Sequence, residues 1–127
     1  MTKDTGVAIH SDALLGKRVL LAIAGGIAAV ESVRLARELR RHQADLTVIM
    51  SEEATKIITP LAVSWGSDTI VHQGWSSEMS QLEAFDVILI APATRNTISK
   101  HLHGIMDSPL LMALSASRGR KSKLCFV

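Results

Sequence analysis

The sequence contains few of the residues on which several classes of protein depend. It has a single cysteine, Cys125, which excludes an internal disulfide and a cysteine-based zinc site and fits a reducing cytoplasm. Aromatic residues make up only 3%, without a tyrosine, which argues against a stacking surface for single-stranded nucleic acid. A formal net charge of +2 is too small to indicate a nucleic-acid partner. No apolar run approaches the roughly 18–20 residues of a membrane span. We therefore expect a cytoplasmic protein without a nucleic-acid or membrane partner.

Short apolar runs alternate with amphipathic segments, and 127 residues are most simply one domain. Residues 1–17 lack the continuous apolar core of a signal peptide and are expected to be a loose leader. The predicted strands are Val19–Ala24, Asp45–Met50, Asp68–His72, Asp86–Ala91 and Lys123–Val127. The predicted helices are Ile27–Arg41, a segment from Ser51 that Pro60 interrupts, Asn96–Gly104 and Ser108–Ser117. This alternation indicates an α/β fold, a three-layer doubly wound parallel sheet of Rossmann-like or flavodoxin-like type.

Three segments follow strands of this sheet, and parallel sheets bind ligands beyond the carboxyl ends of their strands. These segments are Gly25–Ala28, Ser51–Glu53 and Ala91–Thr97. The segment Gly25–Ala28, within AGGIAA, does not match the dinucleotide-binding pattern G-x-G-x-x-G. Two interpretations of this segment therefore remain equally acceptable: a plain tight turn and a ligand-binding loop. The segment Ala91–Thr97 contains three polar side chains, Thr94, Asn96 and Thr97. A helix cap accounts for the presence of one of them, but three so close together favour a polar ligand.

The motifs AGGIAA, SEEATKIITPL and APATRNTISKHLHGIMDSPLL occur in this order between Val19 and Val127. Together they resemble the flavin-containing cysteine decarboxylases, which include phosphopantothenoylcysteine decarboxylase and the peptidyl-cysteine decarboxylases. The resemblance implies a flavoprotein that binds FMN, assembles as a homotrimer or a larger assembly of trimers, and acts on a small-molecule or peptidyl-cysteine substrate. The implied activity is a flavin-dependent oxidative decarboxylation of a cysteine-derived carboxylate.

The resemblance also implies which residues hold FMN. Gly25, Gly26, Ile27 and Ala28 would hold its phosphate side, and Ser51, Glu52 and Glu53 would lie at the end of the second strand. Thr94, Arg95, Asn96 and Thr97 would surround the rest of the cofactor, with Arg95 as a source of positive charge. Asn96 would also contribute to catalysis. Asp107 either caps the helix that starts at Ser108 or orients a ligand.

The chain departs from the family pattern at two places. The family has a catalytic histidine eight residues before the aspartate of the fourth strand, and Glu78 occupies that position here. We interpret His72, farther upstream, as a strand-end or surface histidine. The chain also stops at Val127, where the family continues into a segment that covers the substrate. Two alternatives therefore stay open: an FMN-dependent reductase or electron carrier, and a non-catalytic FMN-binding regulatory subunit.

The histidines near residue 100 and the single cysteine are interpreted as structural rather than functional residues. His101 and His103 are two residues apart on a predicted helix, about 200° around its axis, so that they cannot share a metal ion. No metal site is expected. Cys125 falls in a predicted central strand and is expected to be a buried, inert thiol.

Overall fold

The computed structural model describes residues 6–76, 84–117 and 122–127. Five parallel strands form one sheet in the order β3-β2-β1-β4-β5. The strands are β1 (Arg18–Ile23), β2 (Asp45–Met50), β3 (Val71–His72), β4 (Val87–Ile90) and β5 (Lys123–Phe126). The predicted doubly wound parallel sheet is therefore confirmed, with β1 at its centre.

Strand β1 is apolar from Val19 to Ile23 because helices cover both faces of the sheet. Val19, Leu21 and Ile23 belong to one buried cluster, and Leu20 and Ala22 belong to another on the opposite face. These five side chains are at most 2% exposed. A continuous apolar run, rather than an alternating one, is the pattern of a parallel strand buried on both faces.

In the described residues, four α-helices and two 3-10 turns connect the strands. The helices are α1 (Ser32–Arg41), α2 (Pro60–Ser67), α3 (Arg95–Leu102) and α4 (Pro109–Ala116), and the 3-10 turns are Ile27–Glu31 and Ala54–Lys56. Ala29, Ala36 and Val63 pack on the first face of the sheet, while Leu110 and Leu114 of α4 pack on the second. Both faces are thus covered, as a three-layer fold requires.

The helix boundaries follow the capping residues. The hydroxyls of Thr59, Thr94 and Ser108 accept hydrogen bonds from backbone N–H groups in the first turns of α2, α3 and α4. Pro60 begins α2 instead of interrupting a helix from Ser51, because a proline lacks the N–H that a helix interior needs but is well suited to the first turn. The predicted helix Ile27–Arg41 is divided into a 3-10 turn and α1.

The expectation that Cys125 is buried in a central strand is wrong. β5 pairs only with β4 among the described strands, so that Cys125 lies at an edge of the sheet and is exposed. Strand order decides this point, and strand order depends on contacts between residues that are far apart in the chain.

The segment before β1, expected to be a loose leader, contacts the end of α1. The Ser11 hydroxyl lies 2.6 Å from Nδ1 of His42, and the backbone N–H of Leu14 donates to the His42 carbonyl at 2.9 Å. In the described part of the chain, no helix is both long and apolar enough to cross a membrane.

Candidate functional site

The strand order reverses between β1 and β4, and a cavity of about 720 Å³ opens at the carboxyl edge of the sheet near this point. Ligands of open α/β sheets bind at such reversals, because the connections after the two strands diverge to opposite faces. Gly25 follows β1 there, and Ala91 and Pro92 follow β4. The volume is within the range of about 300–1,000 Å³ that is typical of small-molecule pockets.

The wall of the cavity comes from the segments that follow four strands, from α3 and from the first turn of α4. It is lined by Gly25, Met50, Ser51, Glu52, Glu53, Thr55, Gln73, Gly74, Trp75, Thr94, Asn96, Thr97, Lys100, Asp107, Ser108, Pro109, Leu110 and Leu111. Polar groups and apolar side chains both contribute, so that the cavity suits a ligand with a polar end and an apolar body.

Three hydroxyl groups that cap the starts of helical segments lie on this wall. The Ser51 hydroxyl accepts from the Ala54 N–H at 3.1 Å, and the Ser108 hydroxyl accepts from the Leu111 N–H at 3.2 Å. The Thr94 hydroxyl accepts from the Thr97 N–H at 3.2 Å and lies 2.9 Å from the Thr97 hydroxyl. The positive ends of the α3 and α4 dipoles therefore meet at one cavity, which favours an anionic group there.

Two glycines bring the backbone after β1 close to its neighbours. A Cβ at Gly25 would overlap the Cβ of Glu53, and it would lie 3.4 Å from the Ala54 nitrogen. A Cβ at Gly26 would be 3.3 Å from Cγ of Pro92, which is a tight contact but not an overlap. Gly25 is therefore required by the close approach of the turn after β1 to the turn after β2.

The charged residues of the cavity have one ion pair across its wall. Nζ of Lys100 lies 2.8 Å from Oδ2 of Asp107, and the two side chains are 30% and 53% exposed. Lys100 is the one cationic side chain on the described wall, whereas Glu52 and Glu53 add two more carboxylates. A ligand anion in this cavity would thus meet Lys100, backbone N–H groups and hydroxyls rather than several positive side chains.

The structure brings most of the predicted site residues together. Seven of them line the cavity: Gly25, Ser51, Glu52, Glu53, Thr94, Asn96 and Thr97. Four others do not: Gly26 is half-buried beside Pro92 and Thr94, whereas Ile27, Ala28 and Arg95 are exposed. Glu78 lies outside the described residues. His72 ends β3 and is half-buried, as a strand-end histidine should be.

Arg95 was expected to supply positive charge, but Lys100 occupies the cavity wall instead. Lys100 lies four residues after Asn96 and three after Thr97, so that its side chain lies between theirs on one sector of α3 that spans about 100°. Arg95 immediately precedes Asn96 and lies about 100° away around the helix axis. Because this offset is on the side of Asn96 opposite to Thr97, Arg95 lies outside the sector that lines the cavity and is exposed.

Sequence reasoning missed Trp75, Lys100 and Ser108 as parts of the wall. The segment Gln73–Trp75 follows β3, so the rule that pointed to the other strand ends would also have indicated Trp75. The helical spacing from Asn96 would have indicated Lys100.

The histidine in α3, His101, and the one that follows the helix, His103, have separate surroundings. The ring of His101 is buried and lies 6.0 Å from the ring of Phe126, between centroids. Nδ1 of His103 lies 2.8 Å from the Ser99 carbonyl oxygen. No group of three or more potential metal ligands occurs within residues 6–76, 84–117 and 122–127.

Comparison with known proteins places this site in a family. The profile of the family described as "Flavoprotein" matches residues 7–127. The coenzyme A biosynthesis bifunctional protein CoaBC of Thermococcus kodakarensis is 42% identical over 117 residues, which are 87% of this chain and 29% of that protein. The chain therefore spans less than a third of the length of this relative.

Solved structures have the same fold. The FMN-dependent cysteine decarboxylase SpaF is 26% identical, with a TM-score of 0.73 over 82% of this chain and 65% of that one. The structure of AnUbiX (PadA1) in complex with FMN and dimethylallyl pyrophosphate superposes with a TM-score of 0.76, at 20% identity, over 87% of this chain and 63% of that one. At that identity the second likeness concerns the fold alone. The match over nearly the whole chain, together with these relatives, shows that the protein belongs to the Flavoprotein family.

Proposed function

We propose that the protein binds FMN in the cavity at the carboxyl edge of the sheet and uses it to decarboxylate a cysteine-derived carboxylate. The observation that carries the proposal is the convergence of Gly25, Ser51, Thr94, Asn96 and Thr97 on one cavity wall. The names of two relatives support it: one acts in coenzyme A biosynthesis, and the other is an FMN-dependent cysteine decarboxylase.

The residues present fit FMN at both of its ends. A phosphate needs hydrogen-bond donors and a positive field, which the hydroxyls of Ser51 and Thr94 and the first turn of α3 can supply. The flat ring system of a flavin needs apolar walls, and Met50, Leu110 and Leu111 line the same cavity. Gly25 keeps the turn after β1 free of a side chain that would overlap Glu53.

FMN, when bound, would supply the oxidation of the thiol end of the substrate that makes loss of the carboxylate as carbon dioxide possible. The protein itself has to position the carboxylate. The amide of Asn96 can donate to a carboxylate oxygen, and Lys100, four residues later on the same face of α3, can add a charge-assisted hydrogen bond. Asp107 holds the Lys100 ammonium group in place at 2.8 Å.

Glu78 is proposed as a second catalytic group because it occupies the position of the histidine in the family pattern. A carboxyl group can exchange a proton with a substrate thiol only if it lies within hydrogen-bond reach. The variant Glu78→Gln tests this role, since it removes the titratable proton and keeps the size of the side chain. We expect it to lower kcat while the flavin spectrum stays unchanged.

A homotrimer, or an assembly of trimers, is proposed because the motifs of the chain resemble those of the flavin-containing cysteine decarboxylases. Ile27, Val30 and Leu61 are 81%, 52% and 67% exposed and are apolar side chains that a subunit interface would cover. A trimer of about three times 13.7 kDa in light-scattering measurements would support this assembly. The single cysteine supports a reducing, cytoplasmic location.

The test combines spectra and turnover. The purified protein, incubated with FMN and freed of excess cofactor, should retain a flavin absorption band in the visible range. Peptides that end in cysteine, and a pantothenoyl-cysteine, should then release carbon dioxide. Asn96→Ala should lose at least tenfold in turnover with retained flavin. Absence of the flavin band would refute the cofactor proposal.

Two outcomes would instead favour the alternative functions. Bound flavin that is reduced by a nicotinamide cofactor, without release of carbon dioxide, would indicate a reductase or electron carrier. Bound flavin without either activity, together with capture of a partner protein, would indicate a regulatory subunit.

A further inference from the structure

Trp75 lies on the cavity wall without an evident structural role there. It follows β3 with Gln73 and Gly74, and all three line the cavity. The side chain is 56% exposed, although an indole offers one of the largest apolar surfaces of any residue. Among the described residues, no aromatic ring or cationic group lies against its ring.

The other tryptophan of the chain has a structural explanation. Trp65 lies on α2, away from the cavity lining, and the Arg37 guanidinium lies 5.4 Å from its ring centroid. It is 36% exposed, less than Trp75. Trp65 is therefore covered in part by its own fold, whereas Trp75 is more exposed and lines the cavity.

The backbone beside Trp75 leaves room for the indole to settle on a ligand. A Cβ at Gly74 would meet no atom within 4 Å, so the segment after β3 is not packed tightly at this point. The lining of the same cavity also contains Met50, Leu110 and Leu111, which are buried and make this part of the wall apolar.

We propose that the indole of Trp75 stacks on the isoalloxazine ring of bound FMN. The inference rests on the proposed function, since it assumes that the cavity binds FMN. Aromatic rings stack at centroid distances of about 4.5–7 Å, and such contacts stabilise bound planar ligands through both dispersion and burial. Trp75 is thus a residue of the cofactor site that sets affinity and the electronic surroundings of the flavin.

Flavin fluorescence provides a direct test, because an indole stacked on a flavin quenches the emission of the flavin. The full chain is loaded with FMN, and the fluorescence per bound flavin is compared among the wild type, Trp75→Phe, Trp75→Leu and the matched control Trp65→Phe. We expect emission to rise at least threefold in both Trp75 variants and to stay at the wild-type level in the control. Trp75→Leu should also raise the Kd for FMN about tenfold.

The outcomes separate this inference from the FMN proposal. If FMN binds and the Trp75 variants match the wild type in fluorescence and Kd, the stacking contact is refuted while FMN binding stands. If neither the wild type nor any variant retains FMN, both the stacking contact and the FMN-binding proposal are refuted. Because Trp75 is exposed, its variants should keep the wild-type Tm without cofactor, so a change in fluorescence cannot be attributed to unfolding.

Discussion

Replacement of Gly25 by alanine tests whether the close approach of two turns shapes the cavity. The added methyl group would overlap the Cβ of Glu53, and the next residue, Ala54, donates its backbone N–H to the Ser51 hydroxyl. Ordinary carbon–carbon contacts are about 3.5–4.0 Å, so that the backbone at Glu53 has to move by at least about 1 Å. The displaced segment also forms part of the cavity wall.

The cost can be worked out from these two contacts. Overpacking of this kind costs about 1–3 kcal/mol, and the loss of the Ser51 cap costs about 1 kcal/mol more. We expect Gly25→Ala to lower the free energy of unfolding by roughly 2–4 kcal/mol without cofactor. At this chain length the corresponding fall in Tm is roughly 6–20 °C. The Kd for FMN should rise at least tenfold, because the wall at Glu53 is displaced.

The chain offers two matched glycine controls. Gly26→Ala has its tightest contact at 3.3 Å, with the side chain of Pro92, and should cost no more than about 1 kcal/mol. Gly74→Ala, also on the cavity wall, meets no atom within 4 Å and should be neutral or stabilising by up to about 1 kcal/mol. Urea titrations of the three variants without cofactor rank their free energies of unfolding. Equal stabilities for the Gly25 and Gly74 variants would refute the steric argument.

Three further predictions concern caps and charges. Thr94→Ala removes the cap of α3 and should lower the free energy of unfolding by about 0.5–2 kcal/mol and raise the Kd for FMN. The control Thr59→Ala removes the cap of α2, which lies outside the cavity lining. It should lower the free energy of unfolding by a similar amount in urea titrations and leave the Kd for FMN unchanged. Lys100→Met should lower stability by no more than about 1 kcal/mol, because its ion pair is partly exposed, but should raise KM for a carboxylate substrate; an unchanged KM would contradict its role. Hydrogen bonding to Arg41 lowers the pKa of Glu38 below its ordinary value. The ionised Glu38 carboxylate therefore stabilises the folded protein at neutral pH, and this contribution is lost as pH falls through the folded-state pKa. Glu38→Gln should therefore weaken the loss of Tm on acidification, and an unaltered Tm–pH profile would refute this linkage.

Local signals in the sequence were sufficient for most of the secondary structure. The run Asp45–Met50 is a strand with those bounds, and Ser108 with Pro109 marks the start of α4 as expected. These signals act over a few residues: apolar runs for buried strands, and hydroxyl caps or a first-turn proline for helices. The segment after Ser51 was less predictable, because Pro60 is compatible both with a broken helix and with a new start.

The sequence by itself determined the alternation of strands and helices and the polar residues at the strand ends. Only the tertiary structure decided which side chains meet in the cavity. Lys100 rather than Arg95 reaches its wall because of the rotation of α3 on the sheet, and Cys125 is exposed because β5 takes an edge position. Trp75 joins the site because β3 pairs with β2 and ends at the same edge. Such outcomes depend on strand order and helix packing, which arise from contacts between distant residues rather than from local preference.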